Sequence, residues 1–283
     1  MANSDDLSVL LDGLYFPEGP RWHDDRLWFS DFYSHRVVAV DEAGRSETMV
    51  EVPQQPSGLG WLPDGRLLVV SMLDRRLLRL DRGGAVTHAD LSGLATAPCN
   101  DMVVDRQGRA YVGNFGFDRH QGEEPCAATM ARVDPDGTVH VAAEDLMFPN
   151  GTIITNDGRT LVVGETMANR LTAFDIAADG SLSNRRLFAD LGDNFPDGIC
   201  LDQEGAIWVA DPRGNEVVRV HEGGRVSRRI STGDHGAFAC MLGGGDRCTL
   251  FICTAAGSGP KAAEAATGRI QTARVDVPGT GLP

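Results

Sequence analysis

Phe148-Pro149-Asn150-Gly151-Thr152-Ile153-Ile154-Thr155-Asn156-Asp157-Gly158-Arg159-Thr160-Leu161-Val162-Val163 is the stretch whose reading decides the fold. A short apolar run, Thr152 to Ile154, leads into Asn156-Asp157-Gly158, and a second apolar run, Leu161 to Val163, follows. Asp-Gly supplies the positive φ that a tight hairpin turn demands. Runs this short, bounded by turn residues, have the length of strands and not of helices.

The same order of parts recurs on both sides. Equivalent starts are Phe16-Pro17-Glu18-Gly19, Gln55-Pro56-Ser57-Gly58, Pro98-Cys99-Asn100-Asp101 and Phe195-Pro196-Asp197-Gly198, with a degenerate copy at Phe238-Ala239-Cys240. Turns follow at His23-Asp24-Asp25, Pro63-Asp64-Gly65, Arg106-Gln107-Gly108, Gln203-Glu204-Gly205 and Gly244-Gly245-Asp246. Second runs such as Leu67-Leu68-Val69-Val70 and Ile207-Trp208-Val209 come next, then third strands such as Arg36 to Asp41. Six copies of a roughly 40–50-residue all-β unit predict a six-bladed β-propeller with four-stranded antiparallel blades. The last unit, ending near Arg269 to Asp276, is short of one strand. Leu7 to Leu11 are expected to supply it, which closes the ring and removes its open edges. No linker, low-complexity segment or charge block interrupts the chain, so residues 1–283 read as one propeller domain.

Composition narrows the function. A net charge of −14 argues against a nucleic-acid or anionic-membrane binder, which needs a basic face. Met1 to Leu11 has neither the basic nor the apolar region of a signal peptide, and no apolar run approaches a membrane span. The six cysteines show no CxxC or zinc-finger spacing and read as reduced thiols of a cytoplasmic protein. GxSxG, HExxH, Walker A and strand-borne GxGxxG motifs are absent from the sequence. A closed ring offers no strand edge to share, so a monomer or weak dimer is expected.

Register turns the architecture into a site. Ser57, Asn100, Asn150 and Asp197 each lie eight positions before a turn glycine (Gly65, Gly108, Gly158 and Gly205), and Glu18 lies seven before Asp25. In a propeller this position enters the innermost strand at one mouth of the central channel. The sixth place falls to Ala239 or Cys240. For a single unit, Asp, Asn and Gly before a strand are ordinary turn residues. Together, two carboxylates and two amide oxygens converging on one axis form a cage that a cation would neutralise. Without His or Cys at the ring, the donors suit a hard cation, Ca²⁺ first and Mg²⁺ or Mn²⁺ after it.

These residues resemble the senescence marker protein/gluconolactonase/luciferin-regenerating-enzyme family of six-bladed propellers, from Phe16 to about Val275. The most specific pieces are Pro17-Glu18-Gly19-Pro20, Trp28-Phe29-Ser30-Asp31, Asn150-Gly151, Pro196-Asp197-Gly198 and the closing Leu242-Gly243-Gly244 with Thr249-Leu250-Phe251. The resemblance implies metal ligands at Glu18, Asn150 and Asp197, a further polar residue at Asn100, and a divalent-metal-dependent hydrolase of sugar lactones and related cyclic esters. Ca²⁺, Mg²⁺, Mn²⁺, Zn²⁺ or Fe²⁺ would polarise the carbonyl and acidify a water. Asp197 is then the expected catalytic acid/base, and Asn100 a helper for the oxyanion.

One departure bears on the substrate. Sugar lactonases of this family commonly carry Arg two residues before the position of Asn100, where this chain has Pro98. Loss of a guanidinium fork removes a strong handle on oxygen atoms. Asn114, Phe115 and Asp118 are expected near the substrate, but Phe115 and Phe117 make that loop more apolar than a sugar site favours. The insertion from Asn114 to Thr129 reads either as a lid over the pocket or as a solvated loop. Asp31, Ser71, Asn114, Glu165, Asp211 and Thr254, at the ends of the second strands, are expected mainly to fix loops. His120 and His235 read as polar surface, Cys99 and Cys240 as small buried groups. Phosphotriester hydrolysis at the same metal centre, and a non-catalytic propeller that binds a small molecule around a structural metal, are the competing functions.

Overall fold

A computed structural model of the chain describes residues 7–118, 122–259 and 262–282. The described residues form six four-stranded antiparallel sheets. In chain order, β1 (Ser8–Leu14) comes first. Blade 1 follows as β2 (Pro17–His23), β3 (Arg26–Asp31), β4 (Arg36–Val40) and β5 (Ser46–Glu51). Blade 2 is β6 (Pro56–Trp61), β7 (Leu67–Ser71), β8 (Arg76–Asp81) and β9 (Gly84–Asp90). Blade 3 is β10 (Cys99–Val104), β11 (Ala110–Asn114), β12 (Ala128–Val133) and β13 (Val139–Leu146). Blade 4 is β14 (Pro149–Ile154), β15 (Thr160–Glu165), β16 (Arg170–Ile176) and β17 (Leu182–Asp190). Blade 5 is β18 (Ile199–Leu201), β19 (Ile207–Asp211), β20 (Glu216–Val220) and β21 (Val226–Ser231). Blade 6 is β22 (Gly236–Gly243), β23 (Thr249–Ala255) and β24 (Gly268–Arg274), completed by β1 pairing with β24. The N-terminal strand thus closes the ring, running three residues beyond the expected Leu11.

Innermost strands touch in a closed cycle: β2 to β6, β10, β14, β18, β22 and back to β2. Burial grades outward from this cycle. Second strands such as β7 and β19 are buried along their whole length, which is why they read as unbroken apolar runs. Outer strands such as β5 and β21 face water and carry charge. Between blades the core is a series of apolar layers, such as Trp28, Val69 and Leu59 between blades 1 and 2, and Val103, Tyr111 and Val163 between blades 3 and 4. The turn glycines behave as their positions require. Gly65, at φ 84°, donates its N–H to Leu62 O at 2.9 Å.

Residues after β24 do something the sequence does not announce. They cross the ends of the inner strands opposite the ring positions. Gln203 donates to Pro278 O at 2.9 Å, Thr280 to Leu201 O at 3.0 Å, and Ile154 pairs with Leu282. No helix among the described residues is long and apolar enough to cross a membrane.

Candidate active site

Inner strands enter the ring almost backbone on backbone, and this is what brings the polar residues together. A methyl group on Gly151 would meet Ile199 N at 2.5 Å, and one on Gly198 would meet the Cβ of Ala239 at 2.4 Å. Gly19 and Gly58 are as tightly placed against Ser57 O and Met102 N. The glycines after Glu18, Ser57, Asn150 and Asp197 therefore set the spacing of neighbouring blades. Gly151 N–H also donates to Asp197 O at 3.1 Å, which ties blade 4 to blade 5 beside the ring.

Glu18, Asn100, Asn150 and Asp197 line one cavity of about 520 Å³ at this mouth of the channel. Asn100, Asn150 and Asp197 are largely buried, while Glu18 keeps some contact with solvent. Asn150 Nδ2 donates to Thr166 Oγ1 at 3.3 Å, and Thr166 Oγ1 donates to Pro196 O at 2.6 Å. Asn100 Nδ2 points to Pro149 O at 3.4 Å. With the amide nitrogens so engaged, both amide oxygens are left for the cavity. Ser57 is buried in the ring but does not line the cavity.

The sixth ring position corrects the sequence count. Pro17, Pro56, Cys99 and Pro149 pair with the last residues of their neighbouring strands, Asp31, Ser71, Asn114 and Glu165. Ala237 pairs with Thr254 in the same way, so the ring residue of blade 6 is Phe238, not Ala239 or Cys240. Phe238 O accepts the Gly198 N–H at 2.8 Å, as Asp197 O accepts that of Gly151. The count misled because Arg247, at φ 60°, fills the left-handed turn place in a hairpin one residue longer.

Two carboxylates share the ring. Burial raises the Glu18 carboxyl well above its ordinary range, and the neighbouring Asp197 charge raises it further. Arg21, the basic group beneath them on β2, is spent on Asp101: its NH2 lies 2.6 Å from Asp101 Oδ1 in a buried ion pair. Its other nitrogens donate to Pro20 O at 2.8 Å and Leu59 O at 3.0 Å. Asp101 stands where blades 1, 2, 4 and 5 have glycine and blade 6 has Ala239. Burial raises its carboxyl and Arg21 pulls it back. Two carboxylates and two amide oxygens, with the nearest cation already paired, fit a hard divalent ion. Among the described residues no three His, Cys, Asp or Glu side chains cluster as a metal site, because two of these four donors are amides.

Above this polar floor the wall is aromatic. Phe16 packs on Phe32 and Phe238 with ring centroids 5.3 and 4.6 Å apart. Phe115 stacks on Phe148 at 4.6 Å, and Phe117 meets the edge of Phe148. Arg213 rests on Phe195, its guanidinium carbon 3.8 Å from the ring centroid. Met72, Leu73 and Met167 add apolar wall, and Tyr33, Gln55 and Ser258 also line the cavity.

The other expected residues are placed as follows. Phe115 lines the cavity; Asn114 and Asp118 do not. Asn114 is buried, with its amide nitrogen on Thr129 O at 2.7 Å and its oxygen accepting the Gly116 N–H at 3.0 Å. The Asp118 N–H donates to Glu123 Oε2. Of the 114–129 insertion, Phe115 and Phe117 form wall, and His120 lies outside the described residues. His235 is buried, not on the surface. Asp31, Glu165 and Asp211 accept backbone N–H groups of Phe16, Met147 and Arg213, which fixes the loops. Burial pushes the Cys99 thiol up to about 12, and Cys240 well above its usual value, so neither is a ready nucleophile. Sequence reasoning missed Thr166, Arg213 and Phe238. For Thr166 a signal existed, its place directly after the strand-end position Glu165.

A family model for an SMP-30/Gluconolactonase/LRE-like region matches residues 16–256. Pentonolactonase XacC of Haloferax volcanii is 31% identical over 280 residues, 94% of this chain and 92% of the relative. A 6-deoxy-6-sulfogluconolactonase of Pseudomonas putida is 27% identical, covering 94% of this chain and 93% of its own length. In fold, a luciferin-regenerating enzyme superposes with a TM-score of 0.83 over 97% of both chains at 18% identity. The blade order, the ring and these likenesses agree: the chain belongs to the SMP-30/gluconolactonase/LRE-like family.

Proposed function

We propose that this protein is a lactonase that opens a cyclic ester by hydrolysis, with one divalent cation held by Glu18, Asn150 and Asp197. The observation that carries the reading is the pair of carboxylates, Glu18 and Asp197, set with two amide oxygens at the floor of an open cavity, where the Asp197 charge raises the Glu18 carboxyl. Relatives along nearly the whole chain are named for lactone hydrolysis, which supports the same bond class. Ca²⁺ is the first candidate, with Mg²⁺, Mn²⁺, Zn²⁺ or Fe²⁺ behind it, because the donors are all oxygen.

When bound, the cation would supply Lewis-acid polarisation of the carbonyl and a more acidic water. Asp197 takes a proton from the attacking water as its oxygen bonds to the carbonyl carbon. The acyl carbon–ring oxygen bond then breaks, and Asp197 returns the proton to the departing alkoxide, giving a hydroxy acid. Asn100, whose amide nitrogen keeps a second hydrogen beyond the one on Pro149 O, donates that hydrogen to the carbonyl oxygen and helps hold its developing charge. Glu18 and Asn150 hold the ion, and Thr166 holds Asn150. The small-molecule substrate enters between the phenylalanines.

The test is lactone hydrolysis in a pH-stat with chelated protein, each cation added back in turn, and Asp197→Asn as control. Turnover restored by a cation and reduced on the order of 10²-fold or more in the variant is expected. Full turnover in the chelated protein, or in Asp197→Asn, would refute the reading.

A further inference from the structure

We propose that the substrate is an amphipathic lactone with an aromatic or similarly flat apolar body and a carboxylate, the body lying on the phenylalanine wall and the carboxylate meeting Arg213. This inference rests on the lactonase reading and names the substrate class of the same site.

The wall carries the first half. Phe16, Phe115, Phe148 and Phe238 face the cavity in packed pairs, so the wall is preformed and dry. Two of its polar neighbours are already engaged. Thr166 Oγ1 is bound to Asn150 and Pro196, and Tyr33 Oη accepts the Gly259 N–H at 2.9 Å. Gln55 and Ser258 can meet some hydroxyls of a polyhydroxylated lactone, but those pressed against the phenyl rings lose water without gaining a partner. A flat apolar body suits offset stacking on the Phe115–Phe148 pair.

Arg213 carries the second half. It lines the cavity, and its guanidinium carbon sits 3.8 Å over the Phe195 ring centroid, a contact that holds the side chain without using its N–H donors. No carboxylate lies within ion-pair distance of it among the described residues. Most other arginines of the molecule do have one, such as Arg21, Arg109 and Arg219. It is also the one cationic residue lining this cavity among the described residues. Its loop is built to hold it. Asp211 Oδ1 accepts the N–H groups of Arg213 and Gly214 at 2.9 and 3.0 Å. Blade 5 therefore returns to the cavity a guanidinium at a different place from the blade-3 position filled by Pro98. An oriented planar fork with free donors, at the rim of an apolar cavity, matches a carboxylate and binds it in two parallel hydrogen bonds.

The test uses three lactones: glucono-δ-lactone, a neutral benzo-fused δ-lactone, and that lactone bearing a carboxylate on its saturated ring. The matching lactam carboxylate, which is not hydrolysed, is titrated by calorimetry into the cation-loaded protein. Wild type should prefer the carboxylated lactone over the neutral one by about tenfold in kcat/KM, and both over glucono-δ-lactone. In Arg213→Gln the ratio of carboxylated to neutral kcat/KM should fall toward one, through KM and not kcat, and lactam binding should weaken about tenfold. Arg213→Lys should restore part of the ratio, since it keeps the charge and loses the fork. A preference for glucono-δ-lactone, or a ratio that Arg213→Gln leaves intact, overturns the proposal while lactone hydrolysis stands. If no lactone turns over but the lactam binds wild type and not Arg213→Gln, hydrolysis falls and the ligand class stands. Absence of both turnover and lactam binding overturns both.

Discussion

Gly151→Ala places one methyl group where blades 4 and 5 meet beside the ring. That methyl would stand 2.5 Å from Ile199 N, 2.6 Å from Asp197 O and 2.7 Å from Gly198 Cα. All three are backbone atoms, so no rotamer change relieves the clash. Ordinary contact begins near 3.4 Å, so β14 and β18 must part by roughly 0.9 Å at this point. The 3.1 Å hydrogen bond from Gly151 to Asp197 O is lost, at about 1 kcal/mol. Overpacking adds about 1–3 kcal/mol. The expected total, about 2–4 kcal/mol, lowers Tm by roughly 4–10 °C for a chain of this size. Asn150 and Asp197 separate by a similar distance, and a displacement near 1 Å costs on the order of 10²-fold in kcat/KM.

Calorimetric unfolding of the chelated protein and lactone hydrolysis by the cation-loaded protein measure the two effects separately. Gly245→Ala is the control, since a methyl there has no neighbour within 4 Å and the backbone is not left-handed. It should change neither property. Gly205→Ala also meets open space but sits at φ 77°, so it should cost about 1 kcal/mol with activity retained. If Gly151→Ala keeps its Tm within 1–2 °C of wild type and its full turnover, close backbone approach is not what assembles the ring.

Three further outcomes follow from the same geometry. Burial and Asp197 raise the folded-state pKa of Glu18, so cation-free protein has its full Glu18 contribution below the ordinary glutamate range near pH ~4.3 and loses it as pH rises through the raised value. Glu18→Gln should therefore raise the neutral-pH Tm of the chelated protein and abolish its Tm gain on adding Ca²⁺; a lower Tm in chelator would contradict this. Arg21→Met leaves Asp101 buried without its partner and Asp101→Asn leaves the buried Arg21 without its own, so each should cost about 3–5 kcal/mol in urea unfolding and the double variant clearly less than the two together; additive costs would count against the pair. Thr166→Val removes the oxygen that holds Asn150 and should weaken Ca²⁺ affinity by about 10–100-fold with little change in Tm, and unchanged calorimetric affinity would remove Thr166 from the site.

Much of this was legible in the chain because turn chemistry repeats. A hairpin that needs φ near 80° at one residue admits glycine there, and Gly65, Gly108, Gly158 and Gly205 mark the register from which Asn100, Asn150 and Asp197 were read. Legibility failed where another residue took the glycine's place. Arg247 bears the left-handed conformation in blade 6 and the hairpin is longer, so Phe238 was hidden behind Ala239. Asn114 was read as a substrate contact from its strand-end position, yet both ends of its amide are spent on the loop it starts. Arg213 was unreadable for a different reason. Its stacking on Phe195 joins residues whose relation depends on how the loop after β19 returns over blade 5, and no spacing encodes that. The tail from Pro278 to Leu282 has no periodicity either, since it adds single bridges and not a ladder.

Floor and wall of the cavity answer to different constraints. The floor is a by-product of the repeat: glycine on the inner strands of blades 1, 2, 4 and 5 brings the blades close, and the preceding residues must then converge on the axis. Two carboxylates are set together there, with Arg21 paired to Asp101, and the Asp197 charge raises the Glu18 carboxyl, a repulsion that a cation would relieve. Likeness to named lactonases speaks to the bond being broken. The wall comes largely from what each chain places around the ring mouth: Phe115 and Phe117 after β11, Thr166 and Met167 after β15, Arg213 after β19. None of these is required for the ring to close. A change of wall alters which body sits above the floor without touching the donors beneath it, so this chain can keep the chemistry of sugar lactonases and refuse their substrates.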